Sequence, residues 1–145
     1  SIINNTNTTT TNIKAYDIFE EFNGKSSNRK YLENKFSKHS NVSIEYGDFY
    51  KLNTTILNNS LDMLHVDIAN NGEVVEYIFA NYLQKLKSDG ILIIEGGSEE
   101  RDSVEWMVKY AKPKIKPVLD KYSKDYHITT IGEIPSITLI KCKTK

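Results

Sequence analysis

A chain of 145 residues with 39% hydrophobic side chains is the size of one domain with a core of its own. Its 19 basic and 19 acidic side chains cancel, which leaves no general attraction for nucleic acid or an anionic membrane surface. One cysteine, Cys142, excludes an internal disulfide; no Cys/His cluster has zinc spacing, no apolar run reaches membrane-spanning length, and no signal-peptide pattern is visible, a combination that reads as cytoplasmic.

Residues 4–12 form an Asn/Thr-rich loop, 13–19 a short strand, and 20–28 a polar connection containing Gly24. Tyr31, Leu32 and Phe36 mark a helical face within 29–38. Val42-Ser43-Ile44-Glu45-Tyr46 is a second strand closed by Gly47-Asp48, and 50–60 is a mixed connection with one helical turn. The stretch 61–67 is apolar on both faces apart from Asp62 and His65. That pattern predicts a buried parallel strand, with His65 as a hydrogen-bonded core histidine. Asn71-Gly72 opens the next element. Over 73–87 the apolar positions Val74, Val75, Ile78, Phe79, Tyr82, Leu83 and Leu86 recur every three or four residues, which predicts a helix ended by Ser88-Asp89-Gly90, with Gly90 as a left-handed cap. Ile91-Leu92-Ile93-Ile94 is a second buried strand. A helix over 99–111 carries Val104, Met107, Val108 and Ala111 on one face, with Glu99 and Asp102 near its positive end. Pro113 and Pro117 separate it from a short turn at 118–122. The strands 127–131 and 136–142, joined by Gly132-Glu133-Ile134-Pro135, predict an antiparallel hairpin. The alternation predicts a single α/β domain over 1–145, a three-layer sandwich whose mostly parallel sheet closes in a C-terminal antiparallel hairpin.

Two carboxylates end the two apolar strands, Asp67 and Glu95. Parallel strands open on one edge of their sheet, and ligands of α/β proteins bind along that edge. The strand end Leu64-His65-Val66-Asp67, the helix after it, the turn Leu86-Lys87-Ser88-Asp89-Gly90 and the strand Ile91-Leu92-Ile93-Ile94-Glu95 resemble the small-molecule O-methyltransferase branch of the class I S-adenosylmethionine-dependent methyltransferases. The closing hairpin is also a mark of that Rossmann-like family. The resemblance implies S-adenosylmethionine as cofactor and a small-molecule acceptor, with oxygen the target atom and a sugar or secondary metabolite as its source. It puts Asp17 at the ribose hydroxyls, Gly47 and Asp48 at the adenine amino group, and Phe49 against the adenine ring. Asp67 falls near the methyl donor and Glu95 at the acceptor pocket, where either would take the acceptor's proton.

Two departures from the family pattern bear on this reading. Residues 1–12 hold no strand followed by Gly-x-Gly, and Ser1-Ile2-Ile3 looks like the tail of the helix after such a loop, so the chain is read as part of a longer protein, N-terminally incomplete. Glu95-Gly96-Gly97 stands where the metal-dependent branch carries Asp-Asn, so no catalytic magnesium is expected. Plainer roles stand beside the functional ones. Asp17 can cap a turn, Gly47-Asp48 is a common turn pair, and Glu95 can cap the following helix while its glycines turn the chain. Trp106 reads as packing and Lys112, Lys114 and Lys116 as a solvated loop. A non-catalytic nucleotide-binding or interaction module on the same scaffold is the alternative, and a nicotinamide enzyme is disfavoured by the hairpin. A homo-oligomer is left open.

Overall fold

The computed structural model describes residues 11–143 except 20, 23, 24 and 27. Most of the loop expected over 4–12, Ser1-Ile2-Ile3 and Gly24 lie outside the described residues. The chain divides into two compact units, Ser1–Thr55 and Ile56–Lys145.

In the first unit, strand β1 (Ile13–Asp17) is followed by the short antiparallel pair β2 (Glu21–Phe22) and β3 (Lys25–Ser26). Helix α1 (Arg29–Phe36) starts at Asn28, whose side chain accepts the Tyr31 backbone N–H at 3.0 Å. This cap satisfies one of the donors that every helix start leaves open. Strand β4 (Val42–Tyr46) then returns parallel to β1, in register from Ile13 against Val42 to Asp17 against Tyr46. Helix α2 (Phe49–Leu52) is the helical turn expected in the next connection, begun one residue earlier.

In the second unit, β5 (Leu61–Val66), α3 (Gly72–Asn81), β6 (Leu86–Glu95), α4 (Glu105–Lys109), α5 (Lys116–Tyr122), β7 (Tyr126–Ile131) and β8 (Ile137–Cys142) follow in order. The sheet order is β5-β6-β8-β7. Only β5 and β6 are parallel; β8 is antiparallel to both β6 and β7. The sheet is therefore mixed, which corrects the mostly parallel one expected. The terminal hairpin forms one edge of the sheet, with β8 beside β6 and β7 outermost, so one short connection makes two of the three pairings antiparallel.

Helix α3 starts at Asn71, whose side-chain oxygen Oδ1 accepts the N–H groups of Glu73 at 2.9 Å and Val74 at 3.3 Å. Its inner face buries Val74, Val75, Ile78 and Phe79, each burial contributing roughly 2 kcal/mol. The helix ends at Asn81, well short of 87. Tyr82, Leu83 and Leu86 are buried as their spacing demands, but from a tight 3-10 turn at Leu83–Lys85 and the first residue of β6. Ser88, Asp89 and Gly90 sit inside β6, and Gly90 is no left-handed cap. It is a close-approach glycine: a Cβ there would lie 2.9 Å from the Leu61 carbonyl oxygen and 3.0 Å from that of Lys87.

The helix expected over 99–111 is likewise divided, into a 3-10 turn at Arg101–Ser103 and α4, with extended Val104 between them. Met107 is buried, while Val108 is 68% exposed. Pro117 lies in the first turn of α5, where its missing N–H costs nothing. The core is Val66, Val75, Ile78, Leu92, Ile94, Met107, Ile115, Leu119 and Ile140. The expectation for β5 fails in part. Val66 is buried, but Met63 is 59% exposed and His65 is exposed rather than a core histidine. Among the described residues β5 has a ladder partner on one side alone, so its apolar sequence outruns its cover.

Helices α3 and α5 are tied at their surface. The Lys121 ammonium and the Tyr122 hydroxyl both donate to Glu76, each at 2.8 Å. Lys121 first, then Tyr122, hold the Glu76 carboxyl below its usual value. A depressed carboxyl stabilises the fold above its unfolded-state pKa, and the contribution is lost as pH falls through the folded value. Glu76→Gln is thus expected to lower the melting temperature slightly at pH 7, with the gap closing in acid. A gap that persists at pH 3 would show that charge is not its source.

Candidate active site

Parallel pairing brings each unit's acidic strand ends to one edge. In the first unit, Asp17 ends β1 opposite Tyr46, and its backbone carbonyl accepts the Gly47 N–H at 3.0 Å. Gly47, Asp48 and Phe49 therefore follow directly beside Asp17. The Asp17 carboxylate is exposed and accepts the Phe19 N–H at 2.7 Å, so it also fixes a local turn. Gly47 is wedged between side chains, since a Cβ would lie 2.7 Å from the Tyr16 ring and 2.9 Å from Leu52. Asp48 caps α2, accepting the Tyr50 N–H at 2.9 Å with the Lys51 ammonium at 3.2 Å. These contacts, the backbone N–H first, hold its carboxyl below the usual range. Phe49 is half-buried, edge-on to Tyr50 with ring centroids 5.0 Å apart.

In the second unit Val66 is paired with Ile94, so Asp67 and Glu95 leave adjacent strands at the same level. A residue outside the motif holds this edge together. Asn70, completely buried, donates its amide to the carbonyls of Val66 at 3.1 Å and Glu95 at 3.0 Å. One side chain thus clamps both strand ends. Asp67 is exposed beside it.

Glu95 is not a free carboxylate. Arg101 donates Nε to Oε1 at 2.7 Å and Nη2 to Oε2 at 2.9 Å, a two-pronged pair that only a guanidinium makes. The Arg101 side chain is 8% exposed and that of Glu95 28%. The guanidinium also lies 5.2 Å from the centre of the Trp106 ring. Gly96 and Gly97 take φ of +101° and +114°, open to glycine at little cost, and turn the chain back so that Ser98 can accept the Arg101 N–H at 3.0 Å. Asp102, expected at the head of its own helix, instead caps α5: its two oxygens accept the N–H groups of Ile115 and Lys116, each at 2.8 Å.

Asn70, Arg101 and Asp102 were not legible as site residues. The one available signal was composition: Arg101 is one of two arginines among 19 basic side chains, six positions after Glu95. Among the described residues no three His, Cys, Asp or Glu side chains gather as a metal would require, and no helix is long and apolar enough to cross a membrane.

No family model matches the chain, and no curated protein matches it by sequence. Solved structures do match it by shape. A methyltransferase from Geobacter sulfurreducens aligns over 92% of this chain and 59% of its own, with TM-score 0.55 and 15% identity. An SAH-bound methyltransferase from Podospora anserina aligns over 92% of this chain and 72% of its own, with TM-score 0.52 and 15% identity. A precorrin 8W decarboxylase from Methanobacterium thermoautotrophicum aligns over 92% of this chain and 70% of its own, with TM-score 0.51 and 16% identity. At such identities the likeness shows the fold, which is that of the class I methyltransferases, and this chain spans about three fifths of the Geobacter protein.

Proposed function

We propose that this chain carries cofactor- and acceptor-binding residues of an S-adenosylmethionine-dependent methyltransferase that methylates a small polar acceptor, at oxygen. The supporting observation is the pair of acidic strand ends in each unit, Asp17 with Gly47-Asp48-Phe49 and Asp67 with Glu95, on a fold shared with methyltransferases. The residues suit the cofactor. An exposed carboxylate such as Asp17 can accept both hydroxyls of a diol, and Phe49, next to the Gly47-Asp48 turn, is an aromatic side chain of the kind that packs on a purine. When bound, S-adenosylmethionine supplies an activated methyl group. The chain's share is alignment of the acceptor and removal of its proton, for which exposed Asp67 is placed at the strand end. A sugar or secondary metabolite fits this reading as acceptor. The decarboxylase on the same fold is a reason to test the reaction directly, since fold alone does not fix chemistry.

Calorimetric titration with S-adenosylhomocysteine tests the cofactor. Saturable binding is expected, weakened about tenfold by Asp17→Ala through loss of the diol contacts. A chain that melts cooperatively yet takes up no S-adenosylhomocysteine would overturn the reading. A non-catalytic interaction module on the same scaffold would then be favoured, in keeping with the capping role of Asp48.

A further inference from the structure

The sequence names both Asp67 and Glu95 as candidates for taking the acceptor's proton; their surroundings separate them. Asp67 is exposed at the end of β5. Both oxygens of Glu95 already accept from Arg101, at 2.7 and 2.9 Å. A carboxylate has about four acceptor positions, so this pair leaves about two. They belong to a side chain 28% exposed at the sheet edge, whereas the partner guanidinium is 8% exposed. Glu95 is therefore the more open member of the pair, with acceptor capacity left over and a paired cation beside it.

We propose that Glu95 holds the acceptor substrate by accepting a hydrogen bond from one of its hydroxyls, with Arg101 as the positioning residue that fixes the carboxylate, and that acceptors bearing a carboxylate at this point are turned away. The inference rests on the methyltransferase reading and refines its substrate class to neutral hydroxyl compounds. Asp67 is left to take the proton. The donor suits the site because a hydroxyl can give a hydrogen bond to Glu95 without bringing charge to a neutralised pair. An acidic group would set its oxygens against those of Glu95; two of the Arg101 nitrogens are committed to Glu95, and the third, Nη1, which has no hydrogen-bond partner, is buried. The pair is held on both sides. The Arg101 backbone N–H is bound by Ser98, and its guanidinium lies by Trp106. Asn70 anchors the Glu95 carbonyl at 3.0 Å.

Trp106 is the chain's single tryptophan, so its fluorescence reports on this pair without any methyl transfer. The test titrates the chain, with S-adenosylhomocysteine present, with methyl α-D-glucopyranoside and with glucuronic acid as probes. Expected are a saturable emission change with the neutral sugar, at least tenfold weaker binding of the acid, and a tenfold or greater loss of sugar affinity in Arg101→Lys, whose ammonium cannot make the two-pronged pair. S-adenosylhomocysteine affinity should be unchanged in that variant, which general loosening of the fold would not spare. Equal binding of acid and sugar, no sugar binding, or sugar affinity unaltered in Arg101→Lys would each overturn the proposal. If Arg101→Lys does not fold, Glu95→Asp takes its place: it keeps the charge, withdraws the carboxylate by one methylene, and should show the same selective loss. Sugar titrations without S-adenosylhomocysteine keep the two ideas apart. Cofactor binding without sugar binding sinks this inference alone, and the reverse sinks the methyltransferase reading alone.

Discussion

Asn70→Asp is expected to destabilise the chain by about 4 kcal/mol at neutral pH, a large share of the roughly 5–15 kcal/mol typical of a domain. The two side chains have nearly the same shape, so the effect isolates chemistry. The Asn70 amide donates to two carbonyls, those of Val66 and Glu95, from a position with no solvent exposure. An ionised aspartate would point an oxygen at those carbonyls, lose both bonds and bury a charge without a partner. The variant's deficit, like that of Glu76→Gln, should shrink in acid, but for the opposite reason: a folded-state pKa raised rather than lowered. Burial and facing carbonyls raise a carboxyl's folded-state pKa, so its protonated form is favoured. The variant's stability should therefore be best below about pH 4, near the unfolded aspartate value, and decline as pH rises. Urea unfolding at pH 4 and pH 7 measures this. A deficit equal at both would mean that the lost bonds, and not the buried charge, set the cost. The clamp joins the two strand ends that carry Asp67 and Glu95, so Asn70→Ala should also slacken the site.

The contrast between what was legible and what was not follows from the range of the forces involved. Strand ends and their carboxylates were readable because parallel pairing obliges Asp17 and Gly47, or Asp67 and Glu95, to emerge together. The closing hairpin was readable because so short a link permits little else. The length of α3 was not: Tyr82, Leu83 and Leu86 are buried whether the chain continues as a helix or turns into β6, and hydrophobic spacing registers burial alone. The exposure of Met63 and His65 was not legible either, since it depends on which strands flank β5 rather than on β5 itself. The polar residues that build the second site are the furthest from local rules. Asn70 sits next to the actual cap residue Asn71, and nothing in the dipeptide says which amide turns inward. Arg101 and Asp102 sit in a turn that resembles a helix start, and their partners lie six and thirteen or fourteen residues away.

Asp102→Ala is the second large effect expected, about 3 kcal/mol, or a fall of roughly 1.5 M in the urea midpoint. The carboxylate is 3% exposed and accepts two consecutive backbone N–H groups, from Ile115 and Lys116, both at 2.8 Å. Ile115 gives α5 no cap of its own, and Pro117 brings no further donor, so Asp102 supplies the oxygen atoms that a helix start ordinarily takes from its own cap. Its negative charge also lies at the positive end of the helix. Alanine would leave two donors unmet, one of them on Ile115, which is wholly buried. Asp102→Asn separates the contributions. Its amide oxygen can keep one bond while its NH2 group faces the other donor, so it should fall between wild type and alanine. An asparagine variant as stable as wild type would show that geometry alone caps α5 and that the charge is dispensable. The same substitution reaches the site through the chain: Asp102 anchors the turn that carries Arg101, so loss of the cap should weaken the hold on Glu95 and shift the emission of Trp106 even where the fold survives.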